Sequence, residues 1–271
     1  MTDTAAPPLP ASPVIDEAAY EALAREELTA WLARMGKGPS ALGRASKALQ
    51  ARVNRIIPEK IHAAVTTVIE KLTRVIVAGS DLTTARPLEH ATLSARETAV
   101  RARIGAYRAA AAAEGGVAGA GGFTLALAEF PTLIATKIKL LFEIAALYGH
   151  DGAALSERLY ILSIFQLAFS SADHRREVLA GMADWQGRAQ PTSLDAVDWR
   201  AFQQEYRDYI DLAKLAQMIP LIGAPVGAVV NYRLLDKLGE TAIEAYRMRW
   251  FAGAGASEAS LDDPAAGRVA D

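Results

Sequence analysis

The chain has 271 residues, 51% of them hydrophobic, a mean hydropathy of +0.11 and a formal net charge of -2; it has material for a sizeable core and falls short of a polytopic membrane composition. The absence of cysteine excludes disulfides, thiol nucleophiles and thiolate metal sites. Charge is segregated, with fourteen Lys or Arg against five Asp or Glu between Arg34 and Arg108, which suits an anionic lipid surface; these cations are not interleaved with aromatics and no nucleic-acid module is recognisable, so nucleic acid is not an expected partner.

Residues 1–15 are rich in Pro and Ala, lack the basic and apolar regions of a secretory signal, and read as a disordered leader. From Asp16 to Met35, Tyr20, Leu23, Leu28, Trp31 and Leu32 recur near the helical period and Gly36 closes the element. Ser40 starts a second helix to about Ile57, and Pro58 a third through Val77 that Gly79 ends. Pro87 is predicted to open a fourth, carrying Arg96, Arg101, Arg103 and Arg108 into the alanine run from Ala109.

The stretch from Ala109 to Asp151 organises the chain. Five glycines between Gly115 and Gly122 cost helix stability, which close backbone approach can offset. Gly115 and Gly119 have the small-xxx-small spacing that lets helices touch, and Gly223 and Gly227 repeat it in the apolar run from Met218 to Tyr232. These four are the expected helix-packing residues. Pro131 to Leu147 reads as a helix apolar nearly all round, with Thr132, Thr136, Lys139 and Glu143 as its polar stripe. It is too short for an ordinary bilayer crossing and Lys137, Lys139 and Glu143 would lie inside.

Ser156 is predicted to cap a second such helix, whose polar line is Ser163, Gln166 and Ser170; the two form a central apolar hairpin. Asp173 starts another helix, Asp195 or Asp198 one through Met218, and Leu234 to Phe251 the last, after Pro220 and Pro225 break the apolar run. Residues 253–271 read as a disordered acidic tail. No period-2 strand pattern occurs, so the fold class is all-α, a single multi-helix domain over residues 16–252 with a central apolar helical hairpin and Gly-rich turns.

Catalytic signals are sparse. His62, His90, His150 and His174 form no paired metal-ligand spacing, no nucleophile elbow or phosphate loop occurs, and no metal or cofactor is expected. Lys139 and Glu143, at i and i+4, can pair on an apolar helix. Asn231, Tyr232 and Arg233 can cap a buried seam or meet a lipid headgroup. Trp31, Trp185, Trp199 and Trp250 fall on or near amphipathic helices, where core packing is the default over interfacial anchoring.

Three segments carry a resemblance: IIPEKIHAAVTTVIEKLTRVIVAGSDLTT from Ile56 to Thr84, PTLIATKIKLLFEIAALYGHD from Pro131 to Asp151, and IPLIGAPVGAVVNYRLLDKLGETAIEAYRMRWF from Ile219 to Phe251. From about Tyr20 to Trp250 the chain resembles the EcsC family of bacterial proteins, named for a gene beside an ABC transporter. The resemblance implies a helical, hydrophobic protein at the inner membrane or near a transporter, and brings no catalytic chemistry with it.

The leading expectation is a non-enzymatic, cytoplasm-facing protein docked peripherally on the inner membrane, with an anionic lipid or a membrane protein as partner. Its expected contacts are Phe123, Leu125 and Leu127 in the Gly115–Phe130 hairpin, Ile222 and Val226 in the second apolar stretch, and the cations Lys47, Arg52 and Arg55. One alternative is an enzyme, such as a hydrolase, with a polar pocket of Glu129, Lys139, Glu143 and His150. The other is a homo-oligomer that uses its apolar stretches as the subunit interface.

Overall fold

The computed structural model describes residues 15–37, 86–118, 122–170, 172–189 and 223–261, with Thr67, Lys71, Ile76 and Ser193 as single positions; within 112–118, 122–130, 172–173, 223–230 and 254–261 it describes the backbone. The described residues form six helices and no strand: α1 (Glu17–Gly36), α2 (Leu93–Ala118), α3 (Gly122–Leu147), α4 (Leu155–Phe169), α5 (Ala172–Ala183) and α6 (Gly223–Leu261). The all-α expectation holds. Apart from Thr67, Lys71 and Ile76, the helices predicted from Ser40 to Val77 and from Asp195 to Met218 lie outside the described residues, as do residues 1–14 and 262–271.

Helix α1 begins where the sequence places it, because the Asp16 carboxylate accepts the N–H of Ala19. Its buried face is Ala24, Leu28, Trp31 and Met35, spaced 4, 3 and 4. Leu23, expected on that face, is 55% exposed, and Ala24 beside it enters the core. At the start of α2 the structure departs from the pattern. Residues 86–92 are irregular, so Pro87 precedes the helix instead of opening it, and the cap comes from another helix: Glu17 of α1 accepts the backbone N–H and the hydroxyl of Ser94, at 2.9 and 2.5 Å. Burial alone would raise the Glu17 pKa, but the Ser94 hydrogen bonds hold it below its ordinary value.

The predicted helix starting at Pro131 is the second half of a longer one. α3 opens at Gly122 and passes through Pro131, whose ring faces solvent, for a length of about 39 Å. It stops at Tyr148-Gly149, where Gly149 has φ +89° and an added Cβ would lie 2.7 Å from Nη1 of Arg96. That arginine, 7% exposed, donates to the carbonyls of Leu88, Ala91 and Leu147, tying the lead-in of α2 to the end of α3. Ser156 is not the cap of α4; Ala154 holds that position without a side-chain bond. Otherwise α4 matches its pattern, with Leu159 to Phe169 buried except at Ser163 and Gln166. Pro225 falls in the first turn of α6, where its missing N–H costs nothing, so the final helix starts near Gly223, well before Leu234, and runs on to Leu261.

The broadest packing joins α6 to α2. Their register follows from three contacts: Arg247 on Glu97, Gly239 on Ile104, and Arg108 on Asp236, which makes them antiparallel. Lys137 on Asn231 and Tyr148 on Tyr246 make α3 parallel to α6. The C-terminal end of α2 and the N-terminal halves of α3 and α6 therefore share one end of the bundle. Those ends hold the sequence's apolar segments.

A Cβ on Gly239 would lie 2.6 Å from Cδ1 of the β-branched Ile104, whereas one on Gly105 would meet nothing within 4 Å. Gly239→Ala is thus expected to destabilise by about 1–3 kcal/mol through overpacking, and Gly105→Ala to be neutral or stabilising by up to about 1 kcal/mol. Urea denaturation of the two variants checks the opposite signs.

Candidate functional site

The core stripe of α2 is Leu93, Glu97, Val100, Ile104 and Ala111, so a carboxylate stands where the helical period calls for an apolar residue. Glu97 is fully buried, and an unpaired charge there would be prohibitively costly. Arg247 of α6, 2% exposed, answers it with a bidentate pair: Nε donates to Oε1 at 2.6 Å and Nη2 to Oε2 at 2.7 Å. Tyr20 of α1 and Tyr148 after α3 add O–H donors at 2.8 and 3.3 Å, and Arg101 lies 3.5 Å away. The remaining Arg247 nitrogen, Nη1, donates to Glu27 at 2.7 Å and Glu244 at 3.3 Å.

Burial and the neighbouring carboxylate push both phenols above their ordinary pKa, so they remain donors. For Arg247, burial favours the neutral form, but the hydrogen bonds and charge of Glu97 outweigh it and raise the pKa. A second node lies one step away. Glu157, 3% exposed in the first turn of α4, accepts from Tyr246 at 2.6 Å and Arg249 at 2.5 Å, with His150 at 3.9 Å. Tyr246 stacks on both Tyr148 and His150, with ring centroids 4.9 and 5.3 Å apart. Burial chiefly, aided by Arg249 and Arg96 and opposed by Glu157, lowers the His150 pKa to about 4. At neutral pH this imidazole is uncharged.

Above the Glu97–Arg247 pair opens a cleft of about 330 Å³ between α1, α2 and α6, lined by Glu27, Trp31, Arg34, Arg101, Glu240 and Glu244 among others. Desolvation raises the Glu244 pKa against the pull of Arg247. Three carboxylates and two guanidinium groups largely neutralise one another there. Among the described residues no group of three His, Asp or Glu could hold a metal ion, and the described lining of the cleft contains no Ser, Thr or His.

The residues singled out by the sequence are distributed as follows. Glu143 bonds Tyr107 at 2.8 Å and pairs with Arg103 at 3.1 Å, Lys139 is exposed, and His150 belongs to the Glu157 node; these three are not drawn into one cavity, and the Glu129 side chain lies outside the described set. Lys47, Arg52, Arg55, Gly119 and Ile222 also lie outside it. Gly115, Phe123, Leu125, Leu127, Gly223, Val226 and Gly227 fall in helical backbone whose side chains are not described. Lys137, expected within the apolar helix, is 1% exposed and donates to the buried Asn231 at 2.7 Å, so Asn231 serves the buried seam. Trp31, Trp185 and Trp250 all pack against the core.

The Glu97–Arg247 pair escaped the sequence reading. Its signal was present: Glu97 interrupts an apolar stripe, and Arg247 stands in a helix rich in aromatics. The EcsC protein family profile matches residues 22–251, an extent that includes most of α1, the Glu97 stripe and Arg247. The chain belongs to the EcsC family. It is 41% identical over 228 residues to Protein EcsC of Bacillus subtilis (strain 168), covering 84% of this chain and 94% of that one. It is also 32% identical over 143 residues to the uncharacterized protein YdbA of the same organism, covering 52% of each. No solved structure matches this EcsC-family chain.

Removing one member of the buried pair strands the other. Glu97→Leu or Arg247→Met is expected to cost about 3–5 kcal/mol, and the double replacement of both less than the sum of the two single changes, read from denaturant midpoints. A separate prediction concerns pH. The unfolded chain protonates His150 near 6.5 and the folded one only near 4, so stability is complete above about 6.5 and falls as pH drops through that window. His150→Phe keeps the stack and should reduce the loss of stability between pH 7 and pH 5.

Proposed function

We propose that this EcsC-family protein is a non-enzymatic accessory of a membrane or transport system that docks peripherally, from the cytoplasmic side, on an anionic membrane. The observation that supports it most is the common end of the bundle. Ala109–Ala118, Gly122–Phe130 and Gly223–Val230 come from three helices in a register that brings them together, and they contain two charged residues, Glu114 and Glu129. An apolar end of this kind is suited to shallow insertion below the headgroups. No helix among the described residues is long and apolar enough to cross a membrane, which fits docking from one side. The surplus of Lys and Arg between Arg34 and Arg108 supplies attraction to anionic lipid.

The test is co-flotation of purified protein with phosphatidylcholine vesicles and with vesicles containing phosphatidylglycerol, at low and high salt, beside sedimentation in lipid-free buffer. Flotation confined to the anionic vesicles and weakened by salt is expected, with Phe123→Asp and Leu127→Asp abolishing it and Lys47, Arg52 and Arg55 replaced by Glu reducing it. Failure to float with either composition, together with concentration-dependent self-association, would replace docking by an oligomer interface.

A further inference from the structure

The register of the helices brings Arg108, the last of the cations counted along the chain, to nearly the same height as two cations outside that count. Moving away from the apolar end, the first fixed point is the buried Lys137–Asn231 bond. Two residues further along each of these parallel helices come Lys139 and Arg233, so both lie about 3 Å past that bond at one common level. Both are exposed. At the neighbouring level on α2, Arg108 pairs with Asp236 at 2.7 Å and covers the ring of Tyr232, 4.0 Å from its centroid. Tyr232 itself is 38% exposed, one of three large apolar side chains that face solvent among the described residues.

We infer that Lys139, Arg233, Arg108 and Tyr232 form a girdle around the base of the apolar end that contacts the phosphate groups of an anionic phospholipid bilayer. The inference rests on the docking proposed above and adds where the headgroup plane falls. A girdle of cations with a tyrosine at one height, bordering segments without a Lys or Arg, is the arrangement that an interface between hydrocarbon and phosphate selects. Among the described residues, the carboxylate paired with a girdle member is that of Asp236, 2.7 Å from Arg108. Glu143, one turn past Lys139, is engaged by Arg103 and Tyr107 on the neighbouring helix. Lys139 and Arg233 are the two girdle cations whose exposure leaves them able to reach lipid without unpacking the fold.

The experiment compares the full chain with Lys139→Gln/Arg233→Gln and Lys139→Glu/Arg233→Glu in flotation on phosphatidylglycerol vesicles, with thermal melting by circular dichroism as a check of folding. The Gln pair is expected to partition roughly fivefold less per charge removed, and the Glu pair less again, with melting unchanged because both side chains are in solvent. If the unmodified chain floats and the Gln and Glu pairs float equally well, the girdle is overturned while docking stands. If the unmodified chain does not float, docking fails and the girdle with it.

Discussion

Everything in this fold has to accommodate one buried ion pair. Glu97 and Arg247 are 150 residues apart in sequence, both essentially inaccessible to water, and joined by two short hydrogen bonds. Neither charge could be buried without the other. Their geometry leaves little freedom: α6 must run antiparallel to α2 at one register, and Tyr20, Glu27 and Tyr148 must come from α1 and the end of α3 to saturate the remaining polar atoms. Hydrophobic burial supplies most of the stability. The ion pair supplies the choice of partner and register among helices that are all apolar on one side, since an apolar seam tolerates sliding and a bidentate pair does not.

How much of this was legible depends on which physical signal each element carries. Helix existence, the absence of strands among the described residues and the near-total burial of α4 follow from composition and period alone, and the Asp16 cap and Gly36 stop of α1 are local chemistry. Boundaries set by tertiary partners were not legible. The start of α2 depends on a carboxylate from α1, and α3 begins nine residues before Pro131 because proline is tolerated on an exposed side of a long helix. Leu23 and Ala24 exchange expected roles because period alone cannot decide which edge of an amphipathic face is covered by α2 and α6. Of the four residues grouped in the alternative polar pocket, Glu129, Lys139, Glu143 and His150, the described side chains of Glu143 and His150 meet different partners, Tyr107 and Tyr246, which lie on other helices and which no spacing rule would reveal.

The two ends of the bundle divide the chemistry. One end concentrates ionic and aromatic contacts: Glu97 with Arg247, Glu157 with Arg249 and Tyr246, and the stacked rings of Tyr148, Tyr246 and His150. The other gathers glycine and alanine with aliphatic and aromatic residues, and has the Lys137–Asn231 bond at its floor. An ion-paired end opposite an apolar end suits the proposed docking, because shallow insertion of the apolar end would leave the ion-paired register intact. Membership of the EcsC family does not by itself specify such an orientation. The parallel and antiparallel pairings of α2, α3 and α6 show that the apolar segments share one end of the bundle, on which the proposed docking rests.

The claim that the apolar end is the one facing lipid can be measured along a single helix. The chain has no cysteine, so single cysteines can be introduced at the exposed alanines Ala95, Ala102, Ala106 and Ala110 of α2 and labelled with a fluorophore quenched by brominated lipid. With anionic vesicles, quenching should rise steadily from Ala95 to Ala110. A gradient in the opposite sense, or equal quenching at all four positions on a protein that binds the vesicles, would contradict it.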